Sequence, residues 1–260
     1  RVFSLKGFGT IVTGTLIEGK ISIDDEMTIY PSEKKVKVRN LQVHGCDVKT
    51  AYAGQRTAIN LSNIKVSEIQ RGDVIAETGS VEESMMIDVN ISLVEHCKKS
   101  LKHWDRIRVF HGTKQILCRI VPLNEDEIPY GESGYAQLRL EEKIVAKKGD
   151  RFIIRSYSPM DTIGGGIIID TAPKKHKIYD ESVIETLKIK EKGELKDIIE
   201  EYLKLNLSNY ITLKDLISYT GDKEEYVKEG LDVLIKENKV IPVNKYYLHI
   251  SHYNKLKDKT

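Results

Sequence analysis

Lys35-Val36-Lys37-Val38-Arg39, with Leu41 two residues further on, alternates cations with apolar side chains. A period of two marks a strand with one face to a core and one to water, which puts Val36, Val38 and Leu41 inward and Lys35, Lys37 and Arg39 outward. Outward from this strand, short runs rich in Val, Ile, Thr and Tyr recur at 9–13, 27–30, 56–61 and 73–76, separated by glycine- or aspartate-containing turns. A second set follows Glu82-Glu83-Ser84, at 85–93, 107–110, 116–121, 135–140, 151–155 and 166–169. Short strands at even spacing predict two consecutive β-barrels that meet near residue 82.

Near residue 170 the composition changes. All ten arginines lie at or before Arg155 and fifteen of the eighteen glycines at or before Gly166, while the last hundred residues use lysine as their strong base. From Ile178 the period is helical. Leu195, Ile198, Ile199, Tyr202 and Leu203 share one face of a helix ending near Asn206. Thr212 with Asp215 reads as a capping box for a short helix that stops at Gly221, and Asp222 with Glu225 as the start of the next. A strand pair, 240–243 and 246–250, joined by Asn244-Lys245, completes a winged-helix pattern. The expected fold is mainly β: barrels over 1–82 and 83–172, then a small α+β winged helix over 173–260, whose last residues read as the start of a truncated following module.

The 260 residues carry 41 basic against 39 acidic side chains, and no part is strongly basic: residues 1–82 hold eleven bases and ten acids, residues 83–172 thirteen of each. With 40% hydrophobic residues the composition excludes wholesale disorder, and no window is long and apolar enough for a membrane helix. Cys46, Cys97 and Cys118 have neither disulfide-framework nor C-x-x-C spacing. These features predict a cytoplasmic chain with reduced thiols and no membrane partner. His249 and His252 lack a third ligand nearby, so no metal site is expected. Gly14-Thr-Leu-Ile-Glu-Gly19-Lys20 mimics a phosphate-binding loop, but Ile21 stands where Ser or Thr must reach Mg²⁺ and no helix follows. No nucleophile has a recognisable base, so the chain itself is not expected to be an enzyme.

Arg1-Val-Phe-Ser-Leu-Lys-Gly-Phe-Gly-Thr-Ile-Val-Thr-Gly-Thr15 and Ile69-Gln-Arg-Gly-Asp-Val74 resemble the second domain of translational GTPases of the elongation factor Tu class. Ala53-Gly-Gln-Arg-Thr-Ala-Ile-Asn60, Gly131-Glu-Ser-Gly-Tyr-Ala-Gln-Leu-Arg-Leu-Glu141, the stretch 149–166 and Ala172-Pro-Lys-Lys-His176 narrow the resemblance to the selenocysteine-specific elongation factors. That resemblance implies a piece of a longer factor that carries selenocysteinyl-tRNA to the ribosome at a recoded stop codon. GTP and Mg²⁺ would belong to a GTPase domain outside these residues, and an mRNA hairpin to winged-helix modules beyond them.

By position, the resemblance places the selenocysteine pocket at Arg1 and Arg56. The family carries an Asp ahead of Arg1 that this sequence does not include, which implies weak binding by the chain alone. The broader likeness to elongation factor Tu places Glu68 and Arg71 at the terminal adenosine of the tRNA. A surface ion pair is the competing reading for Arg56 and Arg71. Basic patches for the tRNA backbone are Lys34, Lys35, Lys37 and Arg39; Lys98, Lys99, Lys102, Arg106 and Arg108; and Lys147, Lys148 and Arg151, with solvated faces as the alternative. Residues 222–236 carry five acids against three lysines. Phosphates repel such a recognition helix, so the winged helix reads as a spacer or protein-facing strut and no DNA partner is expected. A barrel fragment of another translational GTPase, or a winged-helix transcription regulator, are the competing functions.

Overall fold

The computed structural model describes residues 1–206 and 210–257. The first unit comprises β1 (Val2–Leu5), β2 (Gly9–Thr15), β3 (Lys20–Ser22), β4 (Glu26–Tyr30), β5 (Lys34–Val43), β6 (Cys46–Val48), β7 (Thr50–Tyr52), β8 (Arg56–Ser62) and β9 (Val74–Glu77). An antiparallel sheet runs β1-β2-β8-β5-β4-β9, with β6 added beside β5. The separate β3–β7 ladder contributes Ile21 and Ala51 to the apolar cluster that holds Val38, Leu41 and Val43. The three-residue step from Val38 to Leu41 breaks strict alternation because the β5–β8 register shifts between Val38 and Asn40. A bulge inserts one residue there and returns Leu41 to the core face.

The second unit is a closed antiparallel barrel. It is built from β10 (Glu83–Leu93), β12 (Arg106–His111), β13 (Lys114–Pro122), β15 (Ser133–Val145), β16 (Arg151–Ser156) and β17 (Thr162–Asp170), in the order β10-β15-β13-β12-β16-β17. A short ladder of β11 (Leu101–Lys102) and β14 (Glu127–Ile128) flanks it. Alternate residues such as Ile87, Val89, Val109, Ile120, Leu138 and Ile154 fill the interior. Gly164-Gly165-Gly166 lies within β17, hydrogen-bonded between β10 and β16, at a place that only glycine fits. The reason is steric. A Cβ would sit 2.4 Å from the Ser92 carbonyl oxygen at Gly164, 2.7 Å from that of Phe152 at Gly165, and 2.1 Å from that of Asn90 at Gly166.

The remaining residues form α1 (Glu181–Lys192), α2 (Leu195–Leu205), β18 (Ile211–Thr212), α3 (Leu213–Thr220), α4 (Glu224–Lys236), β19 (Val240–Val243), β20 (Tyr246–His249) and α5 (Ile250–Lys257). The sheet order β18-β20-β19 beside α2, α3 and α4 is the winged-helix arrangement, and Ile199, Leu216, Val227, Leu231 and Leu234 form its core. Thr212 and Asp215 make the expected capping box. Asp222 does not cap α4. Lys223 occupies that position without a side-chain hydrogen bond, because Gly221 ends α3 in the left-handed conformation and the Asp222 N–H is taken by Thr220 Oγ1 at 3.3 Å.

Helix α1 packs on the second barrel: Ile184 and Leu187 meet Val121, Leu123, Tyr135 and Ile169. Polar groups reinforce this seam. Buried Lys190 is bonded to Asp170 and sits 3.9 Å from the Tyr219 ring, while Glu191 accepts from Asn90 at 2.7 Å and from the Tyr135 hydroxyl at 2.6 Å. Burial next to this carboxylate pushes the Tyr135 phenol up. Asp88, at 1% exposure, accepts from Gln137 at 2.9 Å and lies 2.6 Å from His176 Nε2, which fastens the connecting segment to the barrel wall.

Two outcomes follow from close packing in the second barrel. Gly166→Ala must displace backbone and destabilises by about 3 kcal/mol, the upper end for overpacking, whereas Gly14→Ala in β2, with open space around it, stays within about 1 kcal/mol of neutral. Lys190→Ala strands Asp170 in the seam and costs about 3 kcal/mol. Urea unfolding of the three variants checks both.

Candidate functional site

Arg1 continues the β1–β2 ladder: its ammonium donates to Thr13 O at 2.8 Å and the Thr13 N–H returns a bond to Arg1 O at 2.8 Å. Thr13 in turn faces Ala58 on β8, and Arg56 faces Thr15. Residues opposite one another on antiparallel strands point to the same side, so Arg1 and Arg56 share one face of the sheet, two strands apart, or about 10 Å sideways. Buried Val12 and Thr57 belong to the other face, so the shared face is the outer one. Thr13, Thr15 and Ala58 lie between the two guanidinium-bearing residues, and their small side chains leave the space above the strands open. Both arginines are exposed.

Glu68 and Arg71 are on the β8–β9 connection, and the structure separates their roles. Glu68 closes a capping turn on the Lys65 N–H at 2.8 Å and pairs with Lys34 at 2.5 Å. The Lys34 hydrogen bond, with that of the Lys65 backbone, holds its carboxyl below the usual range. Arg71 Nε donates to Thr113 O at 3.2 Å, on the β12–β13 turn of the second barrel. The neighbouring Gly72 is pressed against the same turn: a Cβ there would meet Lys114 Cα at 2.8 Å, and its φ of +96° also favours glycine. Arg71 therefore marks a joint between the first unit and the second barrel.

The basic patches disperse similarly. Lys37 pairs with Asp24 at 2.8 Å, and that bond raises its pKa. Lys147 reaches Glu18 of the first unit at 2.5 Å. Burial lowers the Lys148 ammonium, with Asp222 and Asp170 acting in the opposite sense. Lys102 lies 3.7 Å from Glu127. Lys35, Arg39, Lys98, Lys99 and Arg151 are exposed. Gly14–Lys20 spans β2, a turn and the first residue of β3, with no helix N-terminus to hold a phosphate. Arg106 and Arg108 are the exception to this dispersal. Strand pairing gathers them with Arg119, Arg139 and Arg155, which sequence inspection missed because the five are scattered over fifty residues. The i, i+2 spacing of Arg106 and Arg108 within a strand was the available signal.

On α4 the exposed surface carries Glu224, Glu225, Glu229 and Asp232 against Lys228 and Lys236, and Lys228 is paired with Glu224 at 2.6 Å. The face a winged helix would present to a nucleic-acid groove is net acidic.

Residues 9–76 match the family model of elongation factor Tu domain 2, and residues 88–175 that of the selenocysteine-specific elongation factor β-barrel domain. The selenocysteine-specific elongation factor of Desulfomicrobium baculatum is 34% identical over 90% of this chain and 37% of its own length, and that of Methanocaldococcus jannaschii 29% identical over 70% and 46%. The crystal structure of translation elongation factor SelB from Methanococcus maripaludis in its apo form is 26% identical, covers 66% of this chain and 42% of its own, and has a TM-score of 0.58. A bacterial selenocysteine-specific elongation factor, EF-Sec, shares the fold over 98% of this chain and 50% of its own at a TM-score of 0.61 and 20% identity. The chain thus spans between a third and a half of the length of these relatives. A first β-sheet unit and a closed barrel, each matched by its own family model, and 34% identity across nine-tenths of the sequence place the chain in the family of selenocysteine-specific elongation factors.

Proposed function

We propose that this chain supplies the aminoacyl- and tRNA-binding barrels of a selenocysteine-specific elongation factor, which binds selenocysteinyl-tRNA and delivers it to the ribosome at a recoded stop codon. The observation that carries this reading is the pair Arg1 and Arg56 on one outer face, with only small side chains between them. A selenol is a stronger acid than a thiol and is largely ionised near neutral pH, whereas a serine hydroxyl is neutral. Two fixed cations over an open floor favour the selenolate, and a seryl group leaves them unmatched. An unmatched charged donor costs roughly 1–3 kcal/mol once desolvated, so each arginine supplies about tenfold or more in selectivity. Glu68, held ionised by Lys34, is the group beside this barrel that would receive the terminal ribose hydroxyls of the tRNA. Lys35 and Arg39, both exposed, would meet its backbone. The winged helix, acidic on α4, acts as a spacer toward modules that hold an mRNA hairpin.

Binding of one tRNA charged with selenocysteine or with serine tests the pocket. The selenocysteinyl form binds about a hundredfold tighter, and Arg56→Ala cuts that ratio about tenfold while changing seryl-tRNA binding little; equal affinities, or selectivity intact in Arg56→Ala, overturn the assignment. For the spacer, residues 178–260 bind duplex DNA no tighter than about 10⁻⁵ M at physiological salt by fluorescence anisotropy. Tight binding with a steep salt dependence would make the module a nucleic-acid reader.

A further inference from the structure

Five of the chain's ten arginines lie side by side on one outer wall of the second barrel. Arg106 on β12 faces Arg119 on β13, and Arg119 faces Arg139 on β15. One step along β12, Arg108 faces Arg155 on β16. The residues between them, Ile107, Cys118, Leu138 and Ile154, are buried in the core, so all five arginines point away from it. Like charges directly opposite on neighbouring strands, about 5 Å apart, repel one another. Glu141 is the one carboxylate that pairs with any of the five among the described residues. It takes Arg106 at 2.8 and 2.6 Å, which holds its carboxyl below the usual range. The buried Nε atoms of Arg108 and Arg139 have no hydrogen-bond partner among the described residues. A surface with this much unneutralised positive charge is built for an anion.

Exposed rings frame the same wall. Tyr157, 45% exposed, lies 5.0 Å from Arg106 and 5.2 Å from Arg108. At the other end Trp104, 46% exposed, lies 5.2 Å from Arg139 and stacks with His103 at 5.6 Å. The Trp104 backbone carbonyl accepts from Arg119 at 3.0 Å, which ties this platform to the row. Beside Trp104 lies a shallow, open depression lined by His103, Arg139, Val121, His176 and Lys177. We infer that this wall binds a single-stranded RNA segment, with phosphates on the arginines and unstacked bases on Trp104 and Tyr157. Cations lie between two exposed rings here, the combination found where unpaired bases stack beside a charged backbone track. A duplex keeps its bases stacked on one another and would leave both rings idle. The first-unit arginines take no part, so this inference stands apart from the selenocysteine pocket.

Trp104 is the chain's sole tryptophan, so its fluorescence reports the proposed platform directly. Titrating the chain with single-stranded oligouridylate or oligoadenylate quenches it. Log affinity falls against log salt with a slope of about −2 to −3.5, for three to five phosphates at roughly 0.7 each. By anisotropy of a labelled strand, Arg119→Gln weakens binding about fivefold or more and lowers the slope by about 0.7, while Arg119→Lys keeps the slope. Trp104→Leu weakens binding about fivefold or more with the slope unchanged, and Trp104→Phe retains most of the affinity. Circular dichroism confirms that each variant is folded. Absent quenching, duplex RNA bound as tightly as the single strand, or affinity that survives both Arg119→Gln and Trp104→Leu overturns the inference.

Discussion

The last strand of the second barrel, β17, must bond to β10 on one side and β16 on the other, and at Gly164–Gly166 only a backbone without Cβ fits. Closure settles more than stability. Once the sheet has no free edge, every strand has a fixed inside and outside, and alternate residues are assigned irrevocably to one or the other. Ile87, Val89 and Ile91 go in, and Asp88 and Asn90 go out; Ala136 and Leu138 go in, and Tyr135 and Gln137 go out. The outward four are the groups that anchor the connecting segment and α1. The same assignment puts Arg106, Arg119 and Arg139 in one row on another part of the wall.

The joints between units are polar because they are made mostly by connections and turns at the strand ends, with Lys190 reaching in from α1. Lys147 spans to Glu18, Arg71 to the Thr113 carbonyl, and Lys190 to Asp170. The seam with α1 is the deepest of these. Its apolar part, Ile184 and Leu187 against Val121 and Ile169, excludes water and so strengthens the neighbouring bonds. The cost is visible at Asp88, whose burial raises its pKa against the hydrogen bonds from His176 and Gln137 that stabilise the anion. Solvent reaches the joint at Lys147 and Glu18, which contributes geometry more than energy.

Sequence periodicity read the longer strands but not the short β1, β3, β6, β7, β11 and β14; Val36 and Val38 turn inward as their spacing implies, and the bulge after Val38 explains the irregular step to Leu41. The capping box at Thr212 was legible because its two partners are three residues apart. The Asp222 start was not, since Gly221 and Thr220 determine it through the preceding turn. Local pattern also failed at the lysine patches. Lys34, Lys37 and Lys147 read as free cations, yet their carboxylate partners come from 34, 13 and 129 positions away. The need for glycine at Gly164–Gly166 was not legible, since only the strand register shows which backbones approach there.

Coulomb attraction is local, and that is why a net charge of +2 says little about partners. At physiological salt, exposed charges are screened beyond about 8 Å, so a partner feels the few side chains within that radius and not the sum over 260 residues. Cross-strand neighbours stand about 5 Å apart, inside that length. Five arginines with one paired carboxylate therefore act as a strongly positive patch, although the barrel that carries them has as many acids as bases. Glu125, Asp126 and Glu127 balance the count from the β13–β15 connection, where Asp126 and Glu127 are already engaged by Tyr179 and Lys102. The closed sheet thus separates charges that the chain intermixes, and only the folded wall presents them to an anion.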